Sequence, residues 1–313
     1  MITLLESARW VEGRVDGVIR HVRRPVPDDG LLSGAILRMG DDTAGPVLAM
    51  TIEARRFPRQ APVHLHKSDS FRMALGQPIV VGRTSYQHGQ FRLQEADRFY
   101  GPELWTDEVG TNQLLLVADR RGLRPILTTE DHQHLVDDAL ATDPSVQGIT
   151  FLDRDAPVTH ALTDNLGSAR RAGHWDGGFT GTEAWPALPD GSRLAVIGLG
   201  DPESGPLVLG WDRPPAAPAL PPFVLGTDLV RLVVEGTCIL GGTPLGRLGF
   251  RLQQEGTRHH GSEPGPAGSR ELWILADRRG WPPHAEGGGD SAGRDVLSSA
   301  GHQVDRITAP MRA

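Results

Sequence analysis

The sequence predicts an all-β chain folded as two β-barrels in tandem, with short helices in the linker between them. Three observations predict it: an internal repeat, a series of short alternating segments bounded by turn residues, and a composition that disfavours long helices. The 313 residues have room for two domains, each near the size of about 150 residues at which a single core stays efficient. The 39 glycines and 25 prolines exceed ordinary usage and penalise helix interiors.

The repeat is the strongest signal. LLVADRRG, from Leu115 to Gly122, recurs as WILADRRG from Trp273 to Gly280. FRLQEADRFYG from Phe91 corresponds to FRLQQEGTRHHG from Phe250, with one added residue. SDSFRMALG from Ser68 matches TDLVRLVVEG from Thr227, and GPVLAM from Gly45 matches GPLVLG from Gly205. Four blocks keep their order, so each half is one folding unit, placed at 1–145 and 146–313.

The blocks read as strands. In GQFRLQ, Phe91 and Leu93 face one way and Arg92 and Gln94 the other, the period of a half-buried strand. Turn residues bound the blocks at Gly76-Gln77-Pro78, His88-Gly89, Arg121-Gly122 and Gly241-Gly242. Several short strands per half suggest a sandwich or a jelly-roll barrel. One helix is expected after the first repeat. Thr129 would cap it, Glu130 and Asp131 suit its positive end, Leu135, Ala139 and Leu140 form an apolar stripe, and Asp143-Pro144 ends it. From about 285 the glycine-rich AEGGGDSAGRD predicts a flexible tail with at most a short ordered piece near Val296 and Leu297.

A net charge of -7 provides no positive field for a phosphate backbone, so a small-molecule substrate or ligand is expected rather than nucleic acid. The start lacks a basic region followed by an apolar one, and no stretch reaches the roughly 20 apolar residues that span a bilayer. A cytoplasmic location without membrane insertion is expected. The single cysteine, Cys238, reads as a buried small hydrophobe.

Pro62-Val63-His64-Leu65-His66 carries the chemistry. Residues two apart on a strand point to one face, so His64 and His66 present both imidazoles to one cavity, their backbones about 7 Å apart. Such a pair can chelate a divalent cation, or serve as a hydrogen-bonding pair in a polar pocket.

Here the sequence resembles the cupin superfamily, and specifically the duplicated bicupins. HLHKSDSFRMALG is similar to the first family motif and GQFRLQEADRFYG to the second. The resemblance covers roughly 45–125 and 205–283. It implies tandem cupin-like jelly-roll barrels, with His64 and His66 as ligands of a divalent metal such as Fe, Mn, Ni or Zn. The acidic ligand falls on Asp69 or Ser70. Strand parity turns Ser70 inward with 64, 66 and 72, and Asp69 outward unless a bulge intervenes. Tyr100 stands where the second motif has its histidine. In the second repeat the strand histidines become Phe223 and Leu225, the acid becomes Leu229, and His260 takes the last ligand position while His259 faces the other way. That barrel is read as metal-free.

Arg72 shares the inward parity, and Arg231 is its copy. A guanidinium inside a barrel implies either a buried acidic partner such as Glu53 or a substrate carboxylate. Asp119-Arg120-Arg121-Gly122 and its copy at Asp277–Gly280 read as turn-stabilising networks.

Three functions are compatible with these residues. The first is a metalloenzyme acting on a small polar, carboxylate-bearing molecule by oxygenation, isomerisation or decarboxylation. In it His64 and His66 hold the ion, Arg72 orients the substrate and Tyr100 transfers a proton; without a metal, Ser70, Tyr100 and His64 are the candidates to bind a ligand or move a proton. The second is a metal-free binder, sensor or structural protein. The third is a metal-free acid–base epimerase or cyclase using Tyr100 and histidine. Edge strands are compatible with a homodimer.

Overall fold

The computed structural model describes residues 20–24, 32–54, 59–76, 78–105, 113–142, 146, 148–167, 173–285 and 291–309. The chain is all-β, with two α-helices among the described residues: α1 at Gln133–Thr142 and α2 at Ser291–Thr308. Among the described residues no helix is long and apolar enough to cross a membrane.

Contacts divide the described residues into two units, one of 20–160 with 173–178, the other of 161–167 with 179–309. This differs from a division at 145. Leu152 N–H donates to Arg121 O, and the strand His174–Gly178 pairs with Gln90–Gln94, so both segments belong to the first unit.

In the first unit a seven-stranded antiparallel sheet runs Arg20–Arg24, Leu32–Arg38, Val47–Ala54, Gln113–Val117, Ser70–Ala74, Gln90–Gln94 and His174–Gly178. A second sheet holds Arg59–Ala61, Glu103–Trp105, Ile79–Val81 and Thr84–Tyr86, and a short pair joins His64–Leu65 to Ile126–Leu127. Ala74, Ile79, Val81, Tyr86 and Tyr100 close the space between the sheets. The second unit repeats the central order: Leu207–Arg213, Ser262–Leu275, Leu229–Leu240 and Phe250–Gln253 stand for Val47–Ala54, Gln113–Val117, Ser70–Ala74 and Gln90–Gln94.

The duplicated turn is held in one way in both units. Arg120 Nε donates to Gly45 O at 2.9 Å and Nη2 to Met39 O at 2.7 Å; Arg278 binds Gly205 O and Leu199 O in the same manner. Asp119 and Asp277 each cap the turn and clasp Arg121 and Arg279. Gly45 and Gly205 are required there, because a Cβ would lie 2.2 Å from Met39 O and 2.1 Å from Leu199 O.

Two local expectations are corrected. Thr129 stands before a 3-10 turn at Glu130–His132 that leads into α1 and makes no side-chain cap; at the start of α1, Gln133 Oε1 accepts from Leu127 N–H at 2.9 Å. Leu135 and Ala139 face solvent, while Val136, Asp137 and Leu140 are half-buried, with Asp137 paired to Arg124. Over 291–308 the C-terminal stretch is a helix and not a flexible tail: α2 buries Val296, Leu297, Ala300 and Val304 against Leu188, Leu194 and Trp281. Spacings of three and four place these residues on one face. The stripe is narrow because Gly293 and Gly301 share it, and Gly293 is needed where the helix meets Ala219 O. Residues 286–290 lie outside the described residues.

Candidate active site in the first barrel

His64 sits on the two-residue strand His64–Leu65, opposite Leu127 on one side and bridged on the other to Tyr100 through His64 N–H to Tyr100 O and Tyr100 N–H to His64 O. The two imidazoles come together as strand parity requires, with ring centroids 5.2 Å apart and planes at 85°. Both are buried, His64 at 5% and His66 at 7% exposure. His64 Nδ1–H donates to Pro62 O at 2.7 Å, which leaves Nε2 as the acceptor for the Tyr100 hydroxyl at 3.1 Å. Burial holds both histidines below the ordinary imidazole range, His66 well below, with Arg72 adding to the effect. The backbones of Leu123 and Gly122 oppose that lowering at His66, whose Nδ1 has no hydrogen-bond partner among the described residues.

Arg72 is paired with Glu103; the side chain of Glu53, the partner named from the sequence, lies outside the described residues. Nη1 donates to Glu103 Oε2 at 2.6 Å and Nη2 lies 2.5 Å from Oε1. Nη1 also donates to Gln113 Oε1 at 3.0 Å, and Nη2 to the Tyr100 oxygen at 3.4 Å. Burial raises the Tyr100 phenol above its ordinary range, and the Glu103 charge adds to it while Arg72 opposes. At neutral pH Tyr100 is therefore a proton donor with an acceptor in place.

Ser70 is buried on the same face as Arg72, opposite Gln94 and Val117. Asp69 is fully buried but occupied elsewhere: Oδ1 accepts from Ala96 N–H at 2.9 Å and lies 3.4 Å from His160 Nδ1. Its copy Asp228 accepts from Glu255 N–H in the same way, which marks this as a loop support of the repeated fold. His160 is peculiar to the first unit. Its bond to Asp69 raises the imidazole pKa, with Asp97 adding and Arg98 opposing. A raised pKa means the contribution is complete below the unfolded value near 6.5 and is lost as pH rises through the folded one. Because the ring is 39% exposed, the effect is expected to be a few tenths of a kcal/mol. An NMR titration should show an imidazole titrating above 6.5 that returns toward that value in Asp69→Asn. An unchanged titration in that variant would refute the assignment.

The donor set does not fit a catalytic cation held as the resemblance implies. Catalytic sites usually supply about three or more protein ligands, and among the described residues no cluster of three His, Cys, Asp or Glu donors is placed to hold an ion. His64 Nε2 is engaged by Tyr100. Glu103 Oε1 lies 3.8 Å from that nitrogen, but both carboxylate oxygens are clasped by Arg72, whose charge would face the ion.

In the second barrel the counterpart of Tyr100 is His259, not His260. His64 pairs with Tyr100 and Phe223 with His259, both displaced by 159 residues, and the Phe223 and His259 rings stack at 4.6 Å. His260 is exposed. The residue added in the second repeat is absorbed after the paired position, which shifts the sequence alignment by one. Arg231 donates to Glu271 Oε2 at 2.6 Å, and Ser269 and Trp273 donate to the same carboxylate. Phe223, Leu225, Leu229, Arg231 and His259 are at 0–2% exposure. Cys238 is fully buried, and burial pushes its thiol up to about 12.

Sequence reasoning did not find Glu103, Gln113, Arg92 or Gln94. The alternation of Arg92 and Gln94 with Phe91 and Leu93 was the available signal, but all four are buried: the polar face looks into the barrel rather than into water.

No family model and no curated protein matches the chain. Among solved structures, the chain is similar to oxalate decarboxylase from Bacillus subtilis, with 9% identity over 88% of this chain and 80% of that one, TM-score 0.43. It is also similar to AerE from Microcystis aeruginosa, 8% identical over 83% and 99%, TM-score 0.43. A variant of salicylate 1,2-dioxygenase from Pseudoaminobacter salicylatoxidans is 13% identical over 74% and 71%, TM-score 0.45. These are likenesses of fold alone.

Proposed function

We propose that the first barrel is an acid–base site for a small polar molecule, in which Tyr100 and His64 move a proton. The observation that carries this is the hydrogen bond from the Tyr100 hydroxyl to His64 Nε2 at 3.1 Å, with the opposite ring nitrogen anchored on Pro62 O. Tyr100 gives its proton to a substrate atom or receives one from it, and His64 restores or removes the phenol proton. Arg72 Nη2, 3.4 Å from the phenol oxygen, favours the phenolate at the moment it forms. Glu103 and Gln113 hold that guanidinium in position, so Arg72 is a positioning residue. The pattern suits isomerisation, epimerisation or cyclisation through removal of a carbon-bound proton.

A second reading keeps a divalent metal at His64 and His66 and an oxygenase, isomerase or decarboxylase reaction. The tautomer of His64 favours it, since a backbone carbonyl on Nδ1 is the usual support for a ligating Nε2. Deuterium wash-in from D2O, followed by NMR over a panel of small 2-hydroxy and 2-keto acids, separates the two. Exchange by protein purified without an affinity tag is expected to survive EDTA dialysis. It should fall by about 10²–10⁴ in Tyr100→Phe with the fold intact. Stoichiometric retained metal whose removal stops the exchange would establish the second reading instead.

A further inference from the structure

The first barrel carries two arginines directly opposite one another on neighbouring strands, Arg72 and Arg92, on the sheet face they share with Ser70 and Gln94. Like charges so placed repel. Arg72 is neutralised at both oxygens of Glu103. Among the described residues Arg92, at 7% exposure, has only neutral oxygens as hydrogen-bond partners: Gln94 Oε1 accepts from Nε at 3.1 Å and from Nη2 at 2.8 Å, and the Tyr86 oxygen accepts from Nη1 at 3.2 Å. Asp176, opposite Arg92 on the other neighbouring strand, accepts the Tyr86 proton at 2.6 Å and makes no ion pair with Arg92. It orients the phenol so that its oxygen faces the guanidinium.

A guanidinium has five N–H donors. Three are engaged here, which leaves one on each terminal nitrogen. Two donors on a fixed planar group match a carboxylate in paired bonds. The group is also well placed for chemistry, since Arg92 Cζ lies 5.8 Å from the centroid of the Tyr100 ring and Arg72 Cζ lies 6.0 Å from it. A buried cation without an acid is costly, and a ligand carboxylate removes that cost.

We propose that Arg92, rather than Arg72, anchors the carboxylate of the first barrel's ligand, through the unused N–H of each terminal nitrogen, and so selects anions over their neutral analogues. This rests on the first barrel being a small-molecule site. Gln94, Tyr86 and Asp176 are positioning residues that hold the guanidinium. Arg72 is unavailable for the role because Glu103 already fills it.

Calorimetric titration of the tag-free full chain with formate, acetate and benzoate, and with the matching amides at constant ionic strength, tests the proposal. Wild type is expected to bind at least one acid about tenfold more tightly than its amide, the scale of a charge-assisted pair. Arg92→Gln should abolish that margin. Arg92→Lys, which keeps the charge without the planar fork, should lose most of it and carries the test if the glutamine variant does not fold. A merely structural Arg92 would alter the melting temperature and leave the acid-to-amide ratio unchanged, overturning the proposal. If acids and amides bind equally and Tyr100→Phe weakens both, the role of Arg92 fails while the acid–base site stands. If wild type binds neither class, both fail.

Discussion

Glu271→Gln is expected to destabilise the second barrel by about 3–5 kcal/mol, the cost of leaving a buried cation without its counter-charge. The Glu271 carboxylate accepts from Arg231, Ser269 and Trp273, and Arg213 Nη1 lies 3.7 Å away. Burial alone would raise its pKa, but Arg231 and Arg213 hold it down to about 2. With a depressed folded value, its contribution is present above the unfolded pKa near 4.5 and is lost as pH falls toward about 2. The shift corresponds to about 3 kcal/mol of pH-dependent stability. Urea unfolding of the second unit at neutral pH and at decreasing pH checks both statements. The variant should start less stable and lack the acid-sensitive component in that window. An unchanged acid dependence would show that the carboxylate does not pair in solution.

The second large effect is expected in the first barrel. Glu103→Ala removes the acid that Arg72 binds at both oxygens and should cost about 3–5 kcal/mol. Arg72→Met combined with Glu103→Leu should recover most of that loss, because an apolar pair of similar volume avoids the desolvation of two ions. Comparison of Arg72→Met and Glu103→Leu, each made singly, with the double by chemical denaturation isolates the coupling. Additive losses would mean that the ion pair is not formed. In the double variant the Tyr100 and His64 pair keeps its mutual hydrogen bond but loses the cation beside the phenol oxygen, so proton exchange should slow even where stability returns.

The sequence alone determined the duplication, the set of central strands in each half, and the convergence of His64 and His66 on one face. Each follows from local rules: a strand alternates its side chains every second residue, and a tight turn needs particular residue types. The repeated Asp-Arg-Arg-Gly turn was legible for the same reason, since its bonds run within one loop and to carbonyls at a repeated spacing. The helix at 291–308 was not legible from average apolarity, because glycines occupy part of its buried face.

Only the tertiary structure decided which groups meet across the barrels. Parity shows that Arg72 and Arg231 point inward, but their acids come from different strand positions, Glu103 in one half and Glu271 in the other. Parity likewise separates Arg92 and Gln94 from Phe91 and Leu93 without showing that both faces are covered. The choice of His259 over His260 turned on where one added residue was absorbed, which strand pairing settles and sequence order does not. Alternation is a property of one strand. Charge pairing, closure of the cavity and register depend on the element packed opposite, which can lie dozens of residues away along the chain.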